Sequence, residues 1–267
     1  MALGVIVCGV GGRMGGAVVR AIQQAPDVKL VGAVDKPGSA RLGKDAGAAV
    51  GVEELGVPIT DSLAAVLKQN SVIIDFTHPE ASLGFLKSAA QTRTPMVIAT
   101  TGFSASQQTE IGRLARRTPT LLSANTSLGV NVLISLVADA AKRLGDDYDI
   151  EVIEAHHRFK KDAPSGTALA LGHSAASARG RDLGKVMING RQGIVGERNK
   201  KEVALLSIRA GDIVGEHTVI FGGIGERLEL IHRAHSRDTF AKGALRAAKW
   251  LAKKKPGLYN MRDVLEL

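Results

Sequence analysis

Hydrophobic positions along the chain follow two rhythms. From Gly4 to Cys8 the run GVIVC is continuously apolar, as a strand buried on both faces must be, and after a glycine-rich turn Val18, Val19 and Ile22 recur at helical spacing. The alternation then repeats. Lys29–Val34, Ser71–Phe76, Pro95–Thr100 and Thr120–Ser123 read as buried strands, with helices over Glu80–Gln91 and Ser104–Arg116. Such units wind into a parallel sheet with helices on both faces. After Leu144 the period changes. Ile150–Ala155 reads as a strand, Ser165–Ala178 as a helix capped by Ser165, and Val203–Arg209, Glu216–Phe221 and Glu226–His232 as strands without a long helix between them. That pattern predicts a mixed or antiparallel sheet beyond a boundary near Ser127–Val130, and a last helix over Asp238–Ala252. No internal repeat, proline-rich linker or low-complexity tract interrupts it.

Composition narrows the chemistry. With 45% hydrophobic but only 3% aromatic residues among 267, the core must be aliphatic, and disorder is excluded. Lys and Arg number 35 against 26 Asp and Glu, a net charge of +9 that points to an anionic partner. The excess is scattered, apart from Asn199-Lys200-Lys201 and Lys253-Lys254-Lys255, which read as solvated surface. With so few aromatics, a stacking platform for single-stranded nucleic acid is not expected. The lone Cys8 cannot close an internal disulfide, so a cytoplasmic protein is expected. No apolar run reaches the roughly 18 residues of a membrane span, and the opening MALGVIVCGVGG reads as strand and turn rather than as a signal peptide.

The first turn carries the clearest chemistry. Gly9, Gly12 and Gly15 follow a G-x-x-G-x-x-G spacing, with Gly11 between them, and Asp35 ends the second strand twenty residues after Gly15. Glycines at a helix N-terminus let backbone amides approach a pyrophosphate, and an acid at that distance accepts from a ribose 2′-hydroxyl. A tight turn would also use such glycines, but strand, helix and acid together favour a dinucleotide. Lys36 adds a cation suited to a 2′-phosphate, so use of both NADH and NADPH is expected. Ligands of such sheets lie at the carboxyl ends of the strands, which gathers Thr77, Thr100-Thr101-Gly102 and Ser123-Ala124-Asn125-Thr126.

A second cluster, EAHHRFKKDAPSGTAL at Glu154–Leu169, packs His156, His157, Arg158, Lys160 and Lys161 before turning small and neutral. Ala155–Lys161 is expected to form a loop after the strand, and Ala163-Pro164-Ser165-Gly166-Thr167 the N-terminus of the next helix, where amides and hydroxyls suit a carboxylate. Lys160 and a histidine there could bind and protonate a small dianion. A metal site is not expected: adjacent His156 and His157 do not share one ion easily, and neither a nearby Cys nor a His at i+4 completes a ligand set.

Taken together, GVGGRMG, DFTHPE, ATTGF, NTSLGVN, EAHHRFKKDAPSGTA and RAGDIVGEHTVIF resemble the 4-hydroxy-tetrahydrodipicolinate reductase (dihydrodipicolinate reductase) family, from Gly4 to the tail GLYNMRDVL. The resemblance implies an α/β fold: a Rossmann-type, doubly wound dinucleotide-binding domain over residues 1–127 and 237–267, and an α+β substrate-binding and tetramerisation domain with a mixed sheet over 128–236. It implies hydride transfer from NADH or NADPH to C4 of an imine formed as the hydroxylated ring loses water, in diaminopimelate and lysine biosynthesis. His156 would act as general acid/base and Lys160 as second proton donor. His157, Ser165, Gly166 and Thr167 would bind a small dianionic dicarboxylate. Gly9, Val10, Gly11, Gly12, Arg13, Met14, Asp35, Lys36, Ala99, Thr100, Thr101, Ser123, Ala124, Asn125 and Thr126 would contact cofactor. A homotetramer without metal, nucleic-acid or membrane partner is implied. Two positions depart from the family pattern: Phe159 stands where many members carry histidine, and Thr126 where an aromatic or methionine often lies beside the nicotinamide. Two alternatives stay open. A related dehydrogenase of another amino or imino acid, such as an aspartate dehydrogenase, would not need HHRFKKDAPSGT, and a non-catalytic NAD(P) sensor would need a DNA-binding or partner element, which the sequence does not show.

Overall fold

The computed structural model describes residues 2–267, which divide into two compact units, one running to Leu128 and rejoined by Arg237–Glu266, the other Gly129–Ser236. The first opens with β1 (Leu3–Cys8), α1 (Arg13–Gln23) and β2 (Val28–Val34), continues through β3 (Ile59–Thr60), α2 (Leu63–Val66), β4 (Ser71–Asp75) and α3 (Pro79–Thr92), and proceeds to β5 (Met96–Ile98), α4 (Ala105–Ala115) and β6 (Pro119–Leu122). The second contains α5 (Leu128–Leu144), β7 (Asp149–His156), α6 (Gly166–Ala178), α7 (Leu183–Val186), β8 (Met187–Ile188), β9 (Val203–Arg209), β10 (Gly215–Gly222) and β11 (Arg227–Ala234). The chain then returns to the first unit with α8 (Asp238–Leu251), β12 (Gly257–Tyr259) and α9 (Met261–Leu265).

The first unit holds a seven-stranded sheet in the order β12-β6-β5-β4-β1-β2-β3, parallel at every pairing. Strand alternation divides its core in two. Val5, Val7, Val72, Ile74 and Val97 pack with α1 and α8, whereas Ile6, Cys8, Ile73, Met96 and Ile98 face α3 and α4. Being covered on both sides, these strands have no polar face to show, which is why they read as unbroken apolar runs. The order reverses between β1 and β4, and an open sheet of this kind binds its ligand in the crevice there.

The second unit builds a five-stranded mixed sheet, β11-β10-β7-β9-β8, with β10 antiparallel to its neighbours and β7, β9 and β8 mutually parallel. Its inner residues Ile150, Val152, Leu205, Val219 and Phe221 pack with Leu133 and Val137 of α5 and Leu171 and Ala175 of α6. Among the described residues no helix covers its outer face: Leu206, Ile153, Thr218 and Ile231 form one cross-strand row, and Ile208 and Ile231 are exposed by 49% and 45%.

Three expectations change. Helix α5 was not assigned from the sequence, although Val130, Leu133, Val137 and Ala141 recur at helical spacing and all are buried. Strand β5 covers only Met96–Ile98, since Ala99 and Thr100 already turn into the loop. Strand β7 extends through His156, which therefore stands on the sheet rather than in the loop that follows. Among the described residues no helix is long and apolar enough to cross a membrane.

Candidate active site

At the carboxyl edge of the parallel sheet the glycine turn is shaped by its neighbours. Gly9 sits at φ 79°, and a Cβ there would lie 2.8 Å from Thr77 Cγ2, so only glycine fits. Gly15 admits α1 against the turn, because a Cβ on it would overlap the Gly9 carbonyl. The amides of Gly9 and Val10 both donate to Val34 O, at 2.8 and 3.1 Å, so these residues give the turn its shape and leave donation to others. Gly12 caps α1 with no side-chain acceptor, which leaves the first-turn amides around Arg13 and Met14 facing an open helix end. Asp35 follows β2; its carboxylate accepts from the Ser39 hydroxyl at 2.7 Å and the Lys36 amide at 3.0 Å. A Cβ on Gly11 would overlap that carboxylate, so the bare glycine backbone and Asp35 together leave a cradle that fits a ribose and its phosphate. The Lys36 side chain is exposed beside it.

Behind this edge lies a polar knot that the sequence reading did not single out. Asp75, fully buried at the end of β4, accepts from the Thr77 hydroxyl at 2.6 Å, the Thr77 amide at 3.1 Å, the Thr100 hydroxyl at 3.2 Å and the Ser82 hydroxyl. Burial pushes its carboxyl up from the usual range, and these donors oppose the shift. The knot ties the loops after β4 and β5 to α3, so Thr77 and Thr100 point their hydroxyls inward while Thr101 is exposed. Ala99 is buried. The Ser123 hydroxyl donates to Asn125 O at 2.8 Å, Asn125 Oδ1 accepts from the Ser127 amide at 2.8 Å, and Ala124 is exposed. Thr126 is turned away: it is 1% exposed and its hydroxyl donates to Phe240 O at 2.7 Å, so its side chain belongs to the packing on α8.

In the second unit the register of three strands assembles the titratable cluster. Glu154 and His156 lie two apart on β7 and so share a face; His217 of β10 stands opposite Glu154, and Arg209 of β9 opposite His156. Glu154 is fully buried, with Oε2 2.6 Å from His156 Nδ1. Arg209 donates to both carboxylate oxygens at 2.8 Å, and the Ser165 amide to Oε1 at 3.1 Å. Burial alone would raise its pKa, but the bonds from Arg209 and His156 outweigh it and hold the carboxyl at about 2. Glu154 is thus a permanent anion that fixes a proton on Nδ1 of His156 and turns Nε2 outward. Burial lowers the pKa of His156, against the pull of Glu154. A Cβ on Gly215 would come within 3.1 Å of Nε2, so the glycine leaves that nitrogen its space. His217, buried and 3.2 Å from Ser165 Oγ, is pushed down to about 3 by burial and by His156, and stays neutral. His156 and His217 meet edge to face, their centroids 5.2 Å apart.

Ser165 caps α6 as expected, accepting from the Ala168 amide at 3.1 Å, but it is 1% exposed, so its hydroxyl supports the helix end from behind. Gly166, at the first position of the helix, is exposed, and Thr167 follows half-buried. Lys160 pairs with Asp162 at 2.9 Å, so its own charge is compensated before any ligand arrives. His157 is half-buried 6.3 Å from the exposed Phe159 ring. Glu154, Arg209 and His217 were not assigned roles from the sequence; the alternation of β7, which puts Glu154 on His156's face, was the available signal. No group of three or more metal-ligating side chains occurs among the described residues.

A parallel sheet in Rossmann order with a glycine cradle at its switch point, joined to a unit carrying a Glu–His pair, defines a nicotinamide-dependent oxidoreductase. The chain belongs to the dihydrodipicolinate reductase family: the profiles described as "Dihydrodipicolinate reductase, N-terminus" and "Dihydrodipicolinate reductase, C-terminus" match residues 3–126 and 129–265. It is a reductase of lysine and diaminopimelate biosynthesis. The protein of Thiobacillus denitrificans called 4-hydroxy-tetrahydrodipicolinate reductase is 51% identical over 267 residues, 100% of both chains. One of the same name from Syntrophus aciditrophicus is 50% identical over 260 residues, 97% of each. The dipicolinate-bound dihydrodipicolinate reductase of Paenisporosarcina sp. TG-14 shares the fold, with a TM-score of 0.76 at 23% identity, covering 97% of this chain and 98% of that one.

Proposed function

We propose that the chain reduces 4-hydroxy-tetrahydrodipicolinate to tetrahydrodipicolinate, with His156 as the group that moves the proton. The observation that carries this is the Glu154–His156 pair at 2.6 Å, with α6 beginning at Gly166 beside it. A bound NADH or NADPH supplies a hydride to C4 of the conjugated imine left when the ring loses water. The resulting enamine takes a proton, and the chain's own residues provide for that second half. The open end of α6 at Gly166 and Thr167, with Lys160 released from Asp162 and His157 beside it, holds two carboxylates. Their negative charge raises the pKa of His156 from its lowered value towards the working pH, so substrate binding loads the acid it needs. Asp35 suits the ribose of either cofactor and Lys36 the extra phosphate of NADPH, which supports use of both.

The apolar row on the outer face of the second sheet supports self-association, and with it the homotetrameric reading. The lone, buried Cys8, whose thiol burial pushes well up, fits a cytoplasmic protein without disulfides. Following absorbance with freshly made substrate and each reduced cofactor tests the assignment. Consumption of NADH or NADPH only with that substrate is expected; turnover of oxaloacetate and ammonia instead would select the aspartate-dehydrogenase alternative.

A further inference from the structure

At the amino-terminal edge of the seven-stranded sheet, opposite the glycine turn, lies a cavity of about 820 Å³. It is bordered by the starts of β1, β4 and β6 and by the ends of three helices: Arg93, Arg116 and Ala252 are the C-caps of α3, α4 and α8. Five cations line it, Lys68, Arg93, Arg116, Arg117 and Lys254, and no carboxylate does. None of the five forms an ion pair among the described residues; Lys254 instead lies 4.2 Å over the Trp250 ring.

Basic residues after helices have an ordinary explanation, since a helix C-terminus carries a partial negative charge. The magnitudes decide against it as the whole account. Three C-termini contribute roughly −0.5 each, about −1.5 together, so five cations leave an excess of about +3.5 around one cavity. Lys68 follows the C-cap of the short α2, and counting that terminus as well still leaves an excess of about +3. Pro95, Pro119 and Pro256 at the same edge carry no amide hydrogen, which thins the backbone donors there and leaves the five cationic side chains as its strongest ones.

We infer that this cavity is a second anion site of the first unit, built for a compact, multiply phosphorylated small molecule. Its volume lies in the range of about 300–1,000 Å³ typical of small-molecule pockets, and its charges ring a hollow rather than run in a stripe, which fits a short phosphate chain better than nucleic acid. Arginine forks at three of the five positions suit phosphate oxygens. The shared chemistry is the phosphate chain, whether borne by a nucleoside triphosphate or by inorganic tripolyphosphate.

Calorimetric titration of the full chain with ATP and, separately, with tripolyphosphate, both at low salt and with NADPH saturating the cofactor turn, tests the site. Saturable one-to-one binding of at least one is expected, weakening as NaCl rises from 0.05 to 0.5 M. Tighter binding of ATP assigns the nucleotide, and equal binding the bare phosphate chain. Arg93→Ala, Arg116→Ala and Arg117→Ala, all at exposed positions, should each weaken binding about tenfold, with NADH affinity and basal turnover unchanged. Absence of saturable binding overturns the inference, as does an Arg93→Ala/Arg116→Ala/Arg117→Ala variant that is folded by circular dichroism and binds as the parent does. Binding only when NADPH is omitted would place the anion in the cofactor turn and overturn it equally.

Discussion

Nδ1 of His156 lies 2.6 Å from Oε2 of Glu154, two residues earlier on the same strand, and the carboxylate is closed off from solvent by Arg209 and the Ser165 amide. The imidazole is therefore held in one tautomer and one orientation by an anion that cannot leave. In the mechanism proposed above, Glu154 is a positioning residue that would act on the reaction through His156.

Replacing Glu154 by Gln should lower kcat by one to two orders of magnitude while NADH affinity holds. Glu154 raises the pKa of His156, so its loss lets that pKa fall further, and the alkaline limb of the pH–kcat profile should move to lower pH. A kcat loss without movement of that limb would mean that Glu154 serves the fold alone.

His156→Ala and Lys160→Ala should each lower kcat at least about a hundredfold, since general acid catalysis typically contributes about 10² to 10⁴. Dinucleotide binding, measured by fluorescence titration, should persist in both. The double variant should lose much less than the product of the two, because groups serving one transition state are not additive. Near-normal kcat in His156→Ala with collapsed NADH binding would remove His156 from the proton transfer and assign the end of β7 to the cofactor.

Lys36→Ala should weaken NADPH roughly tenfold and leave NADH nearly unchanged, the size of one lost charge-assisted hydrogen bond. Equal losses for the two cofactors would remove Lys36 from the 2′-phosphate.

Acid should unfold the protein through several groups with the same sign, of which His217 and Glu154 are shifted furthest, with His156 and His232 also lowered. His217 has a folded pKa of about 3, below its unfolded value near 6.5, so between these pH values only the unfolded chain takes up its proton and stability falls by about 1.4 kcal/mol per unit of falling pH. Glu154, held at about 2, adds a loss as pH falls from near 4.5 through 2. In urea titrations His217→Phe should reduce, without abolishing, the slope between pH 6 and 5, where Glu154 is silent and His156 and His232 still contribute; an unchanged slope there would show that His217 does not carry its share.

Gly243 sits inside α8, where Ala would ordinarily gain about 1 kcal/mol in helix propensity. A Cβ there would overlap the Thr126 carbonyl, backbone that cannot swing aside, so Gly243→Ala should destabilise by more than about 2 kcal/mol. An unchanged or raised Tm would show that α8 can shift.

The sequence by itself determined the elements whose burial leaves a periodic mark. Strands covered on both faces, such as Val5–Cys8 and Val72–Ile74, must be apolar throughout, and helices such as α8 must carry one apolar stripe, so both read directly. The glycine turn was legible for a local reason: Gly9 needs a positive φ, and Gly11 and Gly15 must lack a Cβ. Tertiary structure alone decided the partnerships. Glu154 and His156 are close in sequence, but Arg209 and His217 reach them only through the register of β9 and β10, which no local pattern encodes. Thr126 shows the same limit in reverse: its place in a promising motif says nothing of Phe240, 114 residues away, whose carbonyl takes its hydroxyl. Helix α5 was missed where its spacing could have been read, whereas the return of α8, β12 and α9 to the first sheet rests on long-range pairing that local energetics does not record.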